Sequence, residues 1–166
     1  MSLQNFKQKR DFMLRFVPAA SDDELFLYEL YADTRKEELS VLGWDNAQQD
    51  AFLRMQFHAQ QRSYRTQYAG LEQRIIYQDD QRIGQISTAV TEQALLVVDL
   101  VFLPEYRNQG HGTSLLAEVQ ETARQQSKPV RLHVLHNNPA QRLYARMGFR
   151  ITGGQFPYVS MEWNES

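Results

Sequence analysis

The sequence contains no cysteine, which excludes disulfides, thiolate catalysis and cysteine-ligated zinc. It has no apolar run near the ~20 residues that a membrane span needs. Its start, MSLQNFKQKR, lacks the apolar stretch of roughly 7–15 residues found in a secretory signal. A cytoplasmic protein with no membrane contact is therefore expected. Histidine is scarce, and none of the four falls in an HExxH spacing, so no metal is expected. There is no basic excess either. A net charge of −2 argues against a general nucleic-acid partner. What remains is an ordinary globular composition in 166 residues, enough for one domain with a real core. We read residues 1–10 as a polar leader and 11–166 as the domain.

The charge is unevenly spread. Residues 1–99 hold 11 Lys/Arg against 15 Asp/Glu, whereas residues 100–166 hold 7 against 5. That split suits an anionic ligand in the second half and a cationic one near the first, and ordinary solvated surface would suit it about as well.

Periodicity gives the element order. Asp11–Val17 reads as a strand stopped by Pro18, and Ser21 as the cap of a helix over about 22–37. A second helix is expected from about Asn46 to Gln67, capped by Asp45, with Phe52, Met55 and Ala59 on its packed side. Arg74–Gln78 and Arg82–Thr91 read as a hairpin. Ala94–Leu103 (ALLVVDLVFL) reads as a central strand buried on both faces. A helix over about 112–126 follows, with Leu115, Leu116, Val119 and Ala123 inward. Val130–Leu135 is a strand. Asn138 caps a helix that Pro139 opens and Gly148 ends, and two strands near 149–153 and 157–163 close the chain. No repeat or second domain is visible.

Between the central strand and the third helix lies Arg107–Thr113, RNQGHGT. A helix start carries unpaired N–H groups and partial positive charge, which attract phosphate. Gly110 and Gly112 carry no Cβ to hold an oxyanion off the backbone, and they permit positive φ. The first carboxylate of that helix is Glu118, more than a turn inside, so an anion is not repelled. Arg107 can add a charge-assisted contact from the rim, and His111 is placed to face solvent or phosphate. The turn is no P-loop, since GK[ST] is missing. Nor is it GxGxxG followed by an acid ~20 residues on.

The stretch VFLPEYRNQGHG, then a helix, a strand and NNPAQRLYARMGF, resembles the GNAT superfamily of N-acetyltransferases. The family pattern [RQ]xxGx[GA] falls on Arg107, Gly110 and Gly112. Its later pattern NxxAxxxYxxxGF falls on Asn137, Ala140, Tyr144, Gly148 and Phe149. The resemblance implies a single-domain α/β fold, a mixed, twisted sheet with splayed central strands flanked by helices. It also implies acetyl-CoA as acyl donor and a primary amine, small-molecule or peptide, as acceptor. By position, the backbone of Leu100, Val101 and Phe102 would pair with the pantetheine amides. The N–H groups of Asn108, Gln109, Gly110, His111, Gly112 and Thr113 would hold the pyrophosphate, and Asn137 would reach the cofactor arm. Family members are often dimers, which leaves a homodimer open, and the sequence itself does not set the oligomeric state. A non-catalytic CoA-binding sensor or interaction module on the same fold is the alternative reading.

Direct transfer needs two proton movements. An alkylamine with a pKa of about 10.4 must lose a proton before it attacks, and the departing thiolate gains from a donor. Tyr144 matches the family tyrosine that donates to the sulfur, and packing in the stripe Leu143–Tyr144–Met147 is its structural alternative. Asp99 is the only charge within ALLVVDLVFL. A carboxylate in so apolar a strand needs a partner or a raised pKa, which makes it the candidate base or amine-orienting group. In the histone-modifying branch the acid stands where this chain has Leu96. Glu29, Glu92 and a water chain stay open as bases. His133 and His136 read as satisfied strand-end residues. Gln56, Tyr64 and Tyr68 are candidates for the acceptor wall.

Overall fold

The structure, a computed structural model, describes residues 6–7 and 13–165. Among the described residues four α-helices and eight strands run in the order β1 (Phe6–Lys7), β2 (Met13–Pro18), α1 (Glu24–Ser40), α2 (Asn46–Gln67), β3 (Glu72–Gln78), β4 (Gln81–Val90), β5 (Leu95–Phe102), α3 (His111–Gln125), β6 (Val130–Leu135), α4 (Ala140–Arg146), β7 (Arg150–Gly153) and β8 (Tyr158–Trp163). The expected α/β order holds. Asp11 and Phe12, at the start of the expected first strand, lie outside the described residues. Within the stretch read as a leader, Phe6–Lys7 pair with Met13–Leu14 and add one short strand to the sheet.

The strands form one sheet in the order β1-β2-β3-β4-β5-β6-β8-β7. Neighbours run antiparallel except β5 and β6, which are parallel. Side chains of successive strand residues point to opposite faces. Ile76 therefore joins the large core under α3 and α4, while Ile75 beside it joins a second cluster with Leu27, Tyr28, Leu53 and Phe57 of α1 and α2. Both faces are covered, which keeps the middle of the sheet dry.

The central feature is where β5 leaves β6. Their pairing covers only Leu95–Val97 against Val130–Leu132. The β4–β5 register shifts at that point, with Ser87 opposite Asp99 and Thr88 opposite Val97, so Val98 is an extra, bulged residue. A bulge bends its strand and increases local twist. Beyond it β5 follows β4, while β6, paired with β8 along its whole length, keeps only that partner at His133–Leu135. Burial changes with the geometry. The run Ala94–Leu103, expected to be buried on both faces, is closed at Ala94, Leu95 and Val97 and only half-buried from Val98 to Leu103. The splay opens its second half.

Other expectations are corrected in detail. The first helical segment begins with a 3-10 turn at Ser21–Asp23 whose cap position is Ala20. The buried Asp23 carboxylate, and not Ser21, accepts from the Ala20 N–H at 2.9 Å, and it also pairs with Arg82 at 2.9 Å. A carboxylate is the better acceptor for helix-start amides. On α2 the Asp45 cap is present, as a reciprocal box with Gln48. The buried residues of α2 are Leu53 and Phe57, however, while Met55 is 58% exposed and Ala59 is also on the wet side.

Candidate functional site

The glycine turn lies at the mouth of the splay. Gly110 caps α3 in the left-handed region, φ 86° and ψ 0°, and Asn108 also has positive φ, at 60°. Gly112 is helical, and a Cβ there would meet the Leu143 side chain of α4 at 2.8 Å. One glycine thus permits the turn, and the other permits close packing of the two helices beside it. Helix geometry leaves the first-turn amides of α3, including Gly112 and Thr113, without an intrahelical acceptor. No acidic residue stands in that first turn.

Two side chains of the turn have partners of their own within the fold. His111 does not face solvent. It is 1% exposed, with its ring 6.0 Å from that of Phe102 and 6.5 Å from that of Tyr106. Arg107 does not hang free on the rim. Its Nε donates to the Phe102 carbonyl at 3.0 Å, and its guanidinium meets Asp33 of α1 at 3.3 Å. This arginine fastens the end of β5 and the turn to α1, a link that the sequence does not signal.

Next to the turn, Leu100, Val101 and Phe102 pair with Ile86, Gln85 and Gly84 of β4 on one side. On the other side β6 has already left, so this edge of β5 carries backbone groups that the sheet does not satisfy. Gly84 makes the close approach feasible, because a Cβ there would come within 2.4 Å of the Val101 carbonyl oxygen. Asn137 sits in the exposed turn before α4, and Asn138 caps that helix by accepting from the Ala140 N–H at 2.9 Å.

Two titratable groups converge on the opening from different layers. Asp99, beside the bulge on β5, faces the side covered by α1 and α2, since it lies opposite Ser87. Burial raises its pKa from the ordinary 3.8 to about 6, against the pull of the Gln85 amide, the Leu100 N–H and the Arg35 guanidinium. Some of its surface remains open. Tyr144 comes from α4 in the other core layer, 7% exposed, with Phe149 against its ring. Burial first, and then the Asp99 charge, push its pKa up to about 12. Tyr64 of α2 is also raised, by burial foremost and then by Asp99.

The remaining candidates fall elsewhere. Glu92 lies exposed in the turn between β4 and β5, at the closed end of the splay, and Glu29 is on the wet side of α1. His133 shares a 2.9 Å bond with Ser160, and His136 stacks on Phe156 at 4.6 Å, as strand-end residues do. Gln56 is exposed, whereas Tyr64 and Tyr68 are half-buried with rings 6.1 Å apart. Gln85, Ser87 and Arg35 escaped sequence reading. The only signal was a polar residue at alternate positions of an apolar strand, at Gln85 and Ser87. Among the described residues no group of His, Cys, Asp or Glu could hold a metal ion, and no helix is long and apolar enough to cross a membrane.

A family model for an acetyltransferase (GNAT) domain matches residues 71–151, the segment that holds the splay, the glycine turn and Tyr144. Residues 71–151 carry a GNAT acetyltransferase domain. Solved structures share the GNAT fold over more of the chain. The PaiA N-acetyltransferase of Thermoplasma acidophilum, in complex with coenzyme A, is 16% identical, with 92% of this chain and 99% of that chain covered at a TM-score of 0.68. An acetyltransferase of Thermus thermophilus is 12% identical over 90% and 94% of the two chains, at 0.61. A GNAT acetyltransferase of Elizabethkingia anophelis with acetyl-CoA bound is 17% identical over 60% and 80%, at 0.52. At these identities the likeness is one of fold. No curated protein matches the chain.

Proposed function

We propose that this GNAT protein transfers an acetyl group from acetyl-CoA to a primary amine by direct attack. The observation that carries the reading is the edge of β5 from Val98 to Phe102, which no strand pairs on the β6 side and which runs straight into the glycine turn. An extended pantetheine arm would complete that edge as an added strand, satisfying groups that a buried site must pair. The backbone of Leu100, Val101 and Phe102 would serve the arm. The amides from Asn108 to Thr113, at the positive end of α3, would serve the pyrophosphate, and Asn137 would approach the arm from the β6 side.

The chemistry follows from the two titratable groups. Asp99 is ionised above about pH 6 and half-buried, so it accepts a proton from an incoming ammonium and orients the amine. The amine nitrogen then forms the bond to the thioester carbonyl carbon, and the carbon–sulfur bond breaks as the tetrahedral intermediate collapses. The Tyr144 phenol keeps its proton throughout neutral pH and gives it to the departing sulfur. The products are the N-acetyl amine and free coenzyme A; the second amine proton and the one held by Asp99 leave to solvent, and Tyr144 regains a proton from solvent. Tyr64 and Tyr68 would form part of the acceptor wall.

The test pairs binding with turnover. Tyr144→Phe should keep coenzyme A affinity within about threefold by calorimetry, and lose roughly 10²-fold or more in thiol release with an amine panel. Full turnover in that variant would remove Tyr144 from the chemistry. No acetyl-CoA binding at millimolar concentration by the parent protein would sink the whole reading.

A further inference from the structure

Across the α1/α2 face of the sheet runs a row of polar side chains with no counterpart in the known motifs. Gln73 of β3 lies opposite Ser87 of β4, and Ser87 lies opposite Asp99 of β5. Gln85 stands one alternation along β4, and Gln61 of α2 reaches the row from above. The Gln85 Nε2 donates to Asp99 Oδ2 at 2.7 Å. Its Oε1 accepts from the Ser87 hydroxyl at 3.0 Å and from Gln73 Nε2 at 3.4 Å. The Gln73 Oε1 in turn accepts from Gln61 Nε2 at 3.4 Å. Gln85 and Ser87 are 3% and 2% exposed, so these partners stand in for water.

The direction of the row is dictated by one end. An ionised carboxylate only accepts, so Gln85 must turn its NH2 towards Asp99. Its oxygen then points away and must be met by donors, which fixes the Ser87 hydroxyl and the Gln73 amide. The Gln73 oxygen asks the same of Gln61. Every dipole from Gln61 inward is therefore aimed with its positive end at Asp99. Aligned hydrogen bonds in a low-dielectric interior polarise one another. A flipped Gln85 would set oxygen against oxygen and leave Ser87 without its acceptor.

We propose that Gln85, backed by Ser87, Gln73 and Gln61, is the positioning group that holds the Asp99 carboxylate oriented as the proton acceptor of the transfer. This rests on the function proposed above. The other groups that act on Asp99 are the Leu100 N–H and Arg35 of α1, which favour the charged form, and the phenols of Tyr64 and Tyr144, both raised and hence neutral at working pH. Among the described residues Gln85 is the side chain that donates to Asp99, and further partners align it in turn.

The test reads Asp99 directly in the full-length, ligand-free protein. Its carboxyl carbon is followed by carbon-13 NMR against pH, with Asp99→Asn to assign the signal. Gln85→Leu should move the midpoint up by about one pH unit, since a donor to the charged form is lost. Gln73→Leu, at a half-buried position that tolerates change, should move it the same way by a smaller step, and the acidic limb of kcat/KM should follow each midpoint. Gln73→Leu also keeps the question open to test should Gln85→Leu fail to fold. A midpoint unmoved in folded Gln85→Leu or Gln73→Leu would overturn the proposal. A midpoint that moves in a protein with no acetyl transfer to any amine overturns the function assigned to Asp99, while its hold by the row stands.

Discussion

At the scale of single residues, the site is a compromise between chemistry and stability. Asp99 has a folded pKa raised to about 6 by burial, above its ordinary 3.8. The folded state therefore binds this proton more tightly than the unfolded state. Its stabilising contribution is complete below about pH 4 and is lost as pH rises through 6. Asn at this position is neutral throughout. Asp99→Asn should unfold some 4–8 °C higher than the parent at pH 7.5, from a gain of roughly 2 kcal/mol. That gain should vanish near pH 4 in thermal melts followed by circular dichroism. A variant with the same melting point at both pH values would show that the carboxylate carries no such burden. The same titration sets an activity expectation. With Asp99 as proton acceptor, kcat/KM should fall tenfold for each pH unit below about 6.

At the scale of elements, the second half of the chain was legible and the first only in outline. β6 matches its expected span residue for residue, and α3 does so within one residue, because apolar periodicity and breakers agree there. The motif at 107–113 fixed the turn, but not the fate of its side chains. Arg107 is drawn to an acid 74 positions earlier in the chain, and His111 is drawn under the strand by two aromatic rings. Neither pull leaves a local trace. On α2, a helix rich in glutamine, polar residues outnumber apolar ones. The fully buried residues of the packed stripe are Leu53 and Phe57, with the expected Phe52 half-buried beside them, and a one-residue error in phase was easy. The Gln61–Gln73–Gln85 row was invisible for a related reason: glutamine in a single sequence reads as surface. The β4–β5 pair does offer a test at this scale. Gly84→Ala puts a methyl group against the Val101 carbonyl and the Phe102 ring, at 2.4 and 2.9 Å from the new carbon. Backbone cannot give way as a flexible side chain does, so a loss of about 2–3 kcal/mol is expected in urea unfolding. Acetyl-CoA affinity should fall with it, since β5 would have to shift. Unchanged stability would mean that the two strands are less closely held than their register implies.

At the scale of the whole molecule, the splay divides the groups that would serve the donor between two lips. β5 and the glycine turn form one, and β6 with the turn leading into α4 forms the other. Only a ligand that touches both lips ties them together, and acetyl-CoA has the length and the two kinds of polar group to do so. A ligand that binds only the folded state adds about 2.7 kcal/mol at a hundredfold excess over Kd. For a chain of this size that is a rise of roughly 5–10 °C in Tm. ATP offers phosphates to the turn but no pantetheine arm to the β5 edge, so at equal concentration it should raise Tm by much less. If ATP or GTP stabilised the protein more than acetyl-CoA, the turn would be acting as a nucleotide seat and the open edge of β5 would have no part in binding. If coenzyme A and acetyl-CoA stabilise it alike, the lips are joined by the arm and the phosphates, and the acetyl group is left to Asp99 and Tyr144.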